Sequence, residues 1–288
     1  MPRKTPALLL FCALVIAAVF AVPARADAAT ADSSACGEPV ARDSGGEWTC
    51  TFADEFEGTA LNRQNWQVMQ TATSGFTHAF ECYVDHPGTV SVANGNLRLT
   101  SNKLPKWQWC GWLFPTPFFS GMVITKNSFS QAYGRFEARI KFPTGKGFVA
   151  SWWLWPRHMA YGKQSGEIDI AEHYGAYPQI VSPYVHIKGP QGEERGRGAY
   201  CNMATAEGEF HTYTLEWEPL GGMVFLYDGV PCMKFDNWNP GAPLTYPQPF
   251  DQPFFLNLTL AHGWGNNSVG STTPFPATMA VDYVRVWS

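Results

Sequence analysis

Charge is scarce in this sequence: Asp, Glu, Lys and Arg make up only 15% of 288 residues. No basic excess exists either, with 20 Lys and Arg against 24 Asp and Glu, which argues against nucleic acid or an anionic lipid surface as partner. No Cys-x-x-Cys pair or His/Cys cluster has zinc spacing, so no transition-metal site is expected. No stretch of a dozen residues keeps a 3.6-residue apolar period, and 22 prolines and 27 glycines would interrupt most candidate helices. Internal repeats, low-complexity stalks and an appended module are also missing, which argues against an adhesive or wall-structural protein.

Arg3 and Lys4 precede an apolar run from about Ala7 to Val22, closed by Ala24-Arg25-Ala26. That is the layout of a secretory signal peptide over residues 1–26. The run is shorter than the roughly 20 apolar residues a membrane span needs, so the mature chain is expected to be extracellular and free of the membrane. Cleavage after Ala26 leaves 262 residues, enough for one domain. It also removes Arg3, Lys4 and Arg25, leaving 17 basic against 24 acidic residues, a net −7. Cys12 leaves with the signal, and the even set that remains suits an oxidising compartment. Six cysteines allow fifteen connectivities. The sequence-local one is Cys36–Cys50, Cys82–Cys110 and Cys201–Cys232.

Residues 27–46 are mostly Ala, Ser, Asp and Gly without apolar period and read as a flexible leader, with the folded domain over 47–288. Within it, Gly95-Asn96-Leu97-Arg98-Leu99-Thr100, Gly134 to Phe142, Thr212 to Trp217 and Val281 to Trp287 alternate apolar and polar residues between turn signals. Period two means strand. The fold class is therefore all-β, a sandwich or jelly roll of antiparallel sheets. The 12 tryptophans and 11 tyrosines exceed what a compact core needs. Flat amphipathic rings suit sugars, whose pyranose faces are apolar and bordered by hydroxyls.

Ser165-Gly166-Glu167-Ile168-Asp169-Ile170-Ala171-Glu172-His173 places three acids within six residues of an otherwise apolar strand. Alternation puts Glu167 and Asp169 on one face and Ile168 and Ile170 in the core. It would also bury Glu172, a costly place for an unpaired carboxylate. A β-bulge near Ala171 avoids that by returning Glu172 to the face of Glu167. Three carboxylates lining one cleft cannot all ionise freely, so at least one should stay protonated near neutral pH. One ionised and one protonated carboxyl is what retaining glycoside hydrolysis requires. An acidic, solvated strand face would be the bland alternative, but the flanking runs look buried.

Glu-Ile-Asp-Ile-Ala-Glu resembles the bulged Glu-x-Asp-x-x-Glu motif of glycoside hydrolase family 16. Further segments resemble that family in its order: Phe52-Ala53-Asp54-Glu55-Phe56, Gly95 to Leu99, Gly134 to Arg139, Trp153-Leu154-Trp155-Pro156, His211-Thr212-Tyr213 and Val281 to Val286. The resemblance runs from about residue 48 to the end and implies a β-jelly roll with a concave substrate cleft. It also implies Glu167 as nucleophile, Glu172 as acid/base and Asp169 as assisting acid. The activity implied is endo-cleavage of a β-linked polysaccharide, laminarin-like β-1,3-glucan or mixed β-1,3/1,4-glucan, by a chain expected to be monomeric. Galactans and agarose are alternatives within the family, as is transglycosylation. A non-catalytic glycan-binding protein is the reading from another class; it would be expected to have lost one of the acids.

By the same resemblance His186 and Trp153 face the substrate, Asn257 and Trp264 lie at the cleft rim, and Glu81 and Tyr83 sit near the donor-side sugars. Trp153 is expected to turn away from Trp152 and Trp155. Trp112 belongs to an aromatic-rich insertion with Trp107 and Trp109, read as a wall over the cleft. The chemistry requires no cofactor. Asp282, with backbone oxygens near Gly95, resembles a structural calcium position of some family members, of the oxygen-donor type calcium prefers.

Overall fold

The computed structural model describes residues 33–42, 45–220 and 222–288; the signal-peptide segment 1–26 lies outside them. Two sheets dominate the described residues. One, of eight strands, runs in the order Arg197–Gly198, Ile180–His186, Glu167–Tyr174, Phe148–Pro156, Phe254–His262, Met122–Ile124 and Gln67–Val68, with Cys201–Asn202 also paired to Ile180–His186. The other, of ten, is built around Gly134–Lys141, Ala277–Trp287 and Asn96–Cys110. The neighbouring strands are antiparallel apart from the short pair Cys82–Tyr83 with Phe114–Ser120. This is the antiparallel β-sandwich that the period-two pattern implied, in the jelly-roll form that the resemblance implied.

The core forms where alternate residues of both sheets meet. Phe136, Ala138 and Ile140 from one sheet pack with Trp152, Leu154, Ile168, Leu256 and Leu258 from the other, all fully buried. Burying one such side chain stabilises the fold by about 1.5–3 kcal/mol, so a slip of one residue in any central strand would be costly. Register is therefore fixed, and with it which side chains reach the outer face of the eight-stranded sheet. Among the described residues no helix is long and apolar enough to cross a membrane.

The described cysteines pair as Cys36–Cys50, Cys82–Cys110 and Cys201–Cys232. Within the leader expected over 27–46, the described residues 36–42 are docked onto the domain through the first pairing. Cys36 is buried with Trp48, Cys50 and Trp287, and Val40–Ala41 pairs with Glu47–Trp48. Arg42 lies 3.9 Å over the Trp48 ring. Low apolar content did not leave residues 36–42 free, because one disulfide and two strand residues suffice to dock them.

Candidate active site

The acids occupy the strand Glu167–Tyr174, entered through Gly166 at φ 76°. A Cβ there would stand 2.6 Å from Phe250 Cε1, so the turn needs glycine. Trp153 faces Asp169 and Trp152 faces Ala171, leaving Ile170 without an opposite residue. On the other side Asp169 faces Tyr184 and Glu172 faces Ser182, the same one-residue slip. Ile168, Ile170 and Ala171 all enter the core. The bulge thus spends its extra residue on burial and turns Glu172 onto the face of Glu167 and Asp169.

These three acids line a cleft of about 380 Å³. Ser151 Oγ donates to Glu172 Oε1 at 3.2 Å, and the Tyr174 hydroxyl donates to Oε2 at 3.1 Å. His186 Nε2 lies 3.2 Å from Asp169 Oδ2, and its Nδ1 lies 3.0 Å from Glu194 Oε2. Glu194 is itself held by the backbone N–H groups of Ile187 and Gly196 and by Lys188 Nζ at 2.7 Å. Trp153 forms the floor, its Nε1 donating to Thr259 Oγ1 at 2.9 Å. On the opposite wall Trp264 stacks on His78 with centroids 4.3 Å apart, and His78 Nδ1 lies 2.9 Å from the His262 carbonyl oxygen. A larger hollow of about 500 Å³ near Arg63 has no comparable chemistry, since its one acid, Asp85, is paired with Arg63 at 2.7 Å.

Burial and then repulsion by Asp169 push the Glu167 carboxyl up to about 9, against the opposing pull of His186. Asp169 is raised well above its ordinary value by burial and by Glu172. Burial raises Glu172 as well, countered by Tyr174, His78 and Ser151. Glu194 behaves oppositely: burial would raise it, but hydrogen bonds from Lys188, His186 and the backbone hold it at about 2. All three cleft acids therefore hold protons more tightly than free carboxyls, while Glu194 behind His186 stays ionised near neutral pH, so the site can keep a protonated carboxyl for general acid work.

Of the residues expected from sequence, His186, Trp153 and Trp264 line the cleft with the acids. Four others do not line it. Asn257 is buried and donates to the backbone oxygens of Trp153 and Phe255, supporting the floor. Glu81 is fully buried and accepts from the His78 backbone at 2.7 Å and the His262 backbone at 3.1 Å, fastening the cleft-wall loop. Tyr83 is packed beneath that loop with Phe76 and Trp153. Trp112 is 80% exposed on a hairpin outside the cleft. Trp155 also corrects its expected orientation: two residues beyond Trp153 in one strand, it shares that face, while Trp152 is in the core.

Sequence reasoning missed Ser151, Tyr174 and Thr259, each two residues from an identified position, so period two could have found them. It also missed Phe76, His78 and Glu194, which lie outside the cleft strands and gave no periodic signal. Asp282 and Gly95 lie on the other sheet's side. Asp282 Oδ2 accepts from Arg139 at 2.6 Å, and the Glu57 carboxylate stands beside Gly95. Those oxygens are of the kind calcium takes, with Arg139 a competing cation. Among the described residues no three His, Cys, Asp or Glu side chains converge as a metal site.

The model of the family described as Glycosyl hydrolases family 16 matches residues 76–285. Glucan endo-1,3-beta-glucosidase A1 of Niallia circulans is 32% identical over 262 residues, covering 82% of this chain and 37% of that protein. Beta-glucanase of Rhodothermus marinus is 36% identical over 188 residues, covering 59% of this chain and 62% of that protein. The chain thus spans less than two thirds of either relative. The solved laminarinase of Rhodothermus marinus superposes with a TM-score of 0.72 at 29% identity, covering 83% of this chain and 97% of that one.

Proposed function

This chain belongs to family 16 of the glycosyl hydrolases, and on that footing we propose that it is a secreted endo-β-1,3-glucanase, acting also on mixed β-1,3/1,4-glucan, with retention of configuration. The observation that carries this reading is the bulged strand, which puts Glu167, Asp169 and Glu172 on one face of an aromatic-floored cleft. Glu167 attacks the anomeric carbon and forms a glycosyl ester while Glu172 gives its proton to the departing oxygen. Water then enters; Glu172 takes its proton, the ester bond breaks, and Glu167 leaves as carboxylate. Asp169 sits between the two and sets how protons are shared. The names of the glucanase relatives support the choice of glucan, and the apolar start with three disulfides supports export. No cofactor enters the reaction; a calcium ion held near Asp282 and Gly95 would be structural.

Product analysis of the purified protein on laminarin, lichenan, agarose and β-1,4-galactan tests this. Oligosaccharides from laminarin or lichenan are expected; products from agarose or galactan alone would overturn the glucan assignment. Binding without cleavage on all four would favour a glycan-binding role.

His186 should depend on Glu194. Glu194→Ala is expected to lower kcat by roughly ten- to a hundredfold, since small misplacement near a reacting group has effects of this size, and to move the pH optimum. Glu194→Gln should recover part of the rate, because its amide oxygen still accepts from Ile187 and Gly196. Equal rates for wild type and Glu194→Ala would show that His186 is held by its strand alone.

A further inference from the structure

The strand Asn96–Cys110 pairs with Phe114–Ser120 as a hairpin beyond the cleft. Its outer part carries Trp107, Trp109 and Trp112, exposed by 70%, 65% and 80%. Trp109 faces Pro115, and Trp107 lies just before the register resumes at Gln108, at the end of the irregular stretch after Lys103, so both rings sit in one short exposed segment of the hairpin. Trp109, next to Cys110 in the regular part of the strand, points away from the face from which Cys110 reaches Cys82.

The hairpin is fastened to the cleft wall. Besides the Cys82–Cys110 disulfide, Thr116 Oγ1 donates to the Phe80 carbonyl at 2.6 Å. Gly111, at φ 59°, packs so closely that an added Cβ would lie 2.7 Å from Ala72 Cβ. The segment gripped between these points contains Phe76 and His78, which line the cleft, and Phe80, 68% exposed. Aromatic surface therefore continues from the cleft wall onto the hairpin.

We propose that this hairpin is a second binding surface for the polysaccharide, holding a stretch of neutral sugar chain outside the cleft by stacking on Trp107, Trp109 and Trp112. The proposal rests on the glycan-cleaving function given above. Three partly exposed indoles offer on the order of 400–500 Å², short of the roughly 800 Å² per partner of a stable protein interface. A narrow stripe of flat rings matches one sugar chain instead. Residues 102–120 contain Lys103 and Lys106 but no acid, and Gln108 and the indole N–H groups can donate to hydroxyls. A chain held at two places is presented to the cleft at raised effective concentration.

The test is a triple variant, Trp107→Ala with Trp109→Ala and Trp112→Ala, compared with wild type for co-sedimentation with insoluble β-1,3-glucan in the cold. The rate ratio between that polymer and a short soluble oligosaccharide is measured beside it. An unchanged melting temperature serves as the control for folding. Affinity for the polymer and the polymer-to-oligosaccharide ratio should each fall about tenfold or more. Unchanged co-sedimentation overturns the proposal. So does a wild type that sediments as a dimer which the variant loses, or one that binds anionic phospholipid vesicles through these rings. A wild type that binds the glucan without cleaving it would sink the assigned activity, yet the variant would still decide the role of the hairpin.

Discussion

Glu167→Gln is expected to fold normally and to cleave β-glucan roughly 10⁴-fold or more slowly than the wild type, because a covalent route without its nucleophile has no substitute. Glu172→Gln should lose roughly 10²–10⁴-fold, the usual worth of a positioned proton donor, and should lose less on an aryl glycoside whose leaving group needs no proton. Rate loss alone does not assign the roles, and in the free cleft burial and then Asp169 push the Glu167 carboxyl up to about 9, so it holds a proton at neutral pH. A nucleophile must be ionised. Two effects reconcile these facts: a proton on Asp169 removes the second-largest upward push on Glu167, and positive charge developing at the anomeric carbon favours the Glu167 anion as the reaction proceeds. Azide separates the alternatives. With Glu172→Ala it should yield a glycosyl azide of retained configuration, formed through the Glu167 ester; with Glu167→Ala it should yield the inverted one. The opposite pattern would exchange the two roles and keep the mechanism.

The sheet architecture was legible because period two is written into each strand, as in Phe136, Ala138 and Ile140. The bulge was legible because strict alternation would have buried a lone carboxylate at Glu172, a cost large enough to exclude that register. Where the signal was a single residue type, it failed. Glu81 carries the right chemistry for a substrate contact, but its carboxylate is consumed by the His78 and His262 backbone groups, a partnership across 181 positions that spacing cannot show. Trp112 was placed over the cleft on aromatic character alone, while the disulfide and turn that carry it outward are tertiary facts. Glu194 was invisible for the same reason: it meets His186 only because the loop between them folds back.

At alkaline pH, Glu167→Gln should be more stable than the wild type. The carboxyl has an ordinary value of 4.5 and a folded value of about 9. Below 4.5 it is neutral in both states, so burial costs little. Between 4.5 and 9 the unfolded chain releases this proton and the folded chain keeps it, so stability falls through that window and levels off above it. Asp169 and Glu172 are raised too and add to the fall. Glu194, held at about 2, acts the other way: its contribution is present at neutral pH and is lost as pH drops from its ordinary value of 4.5 through its folded value. Glutamine keeps the shape of Glu167 without the charge. Its gain should be small at pH 4.5 and, at about 1.36 kcal/mol per pH unit, up to about 5 kcal/mol at pH 8.5, or about 10–20 °C in Tm for a domain of this size. Melting curves of both proteins at the two pH values measure this. A difference that does not grow with pH would mean that Glu167 is hydrated in the free protein, and that the cleft does not impose its cost until substrate enters. A growing difference would mean that the fold already bears the cost of crowding three acids on one buried strand, as a site prepared for proton transfer before its ligand arrives should.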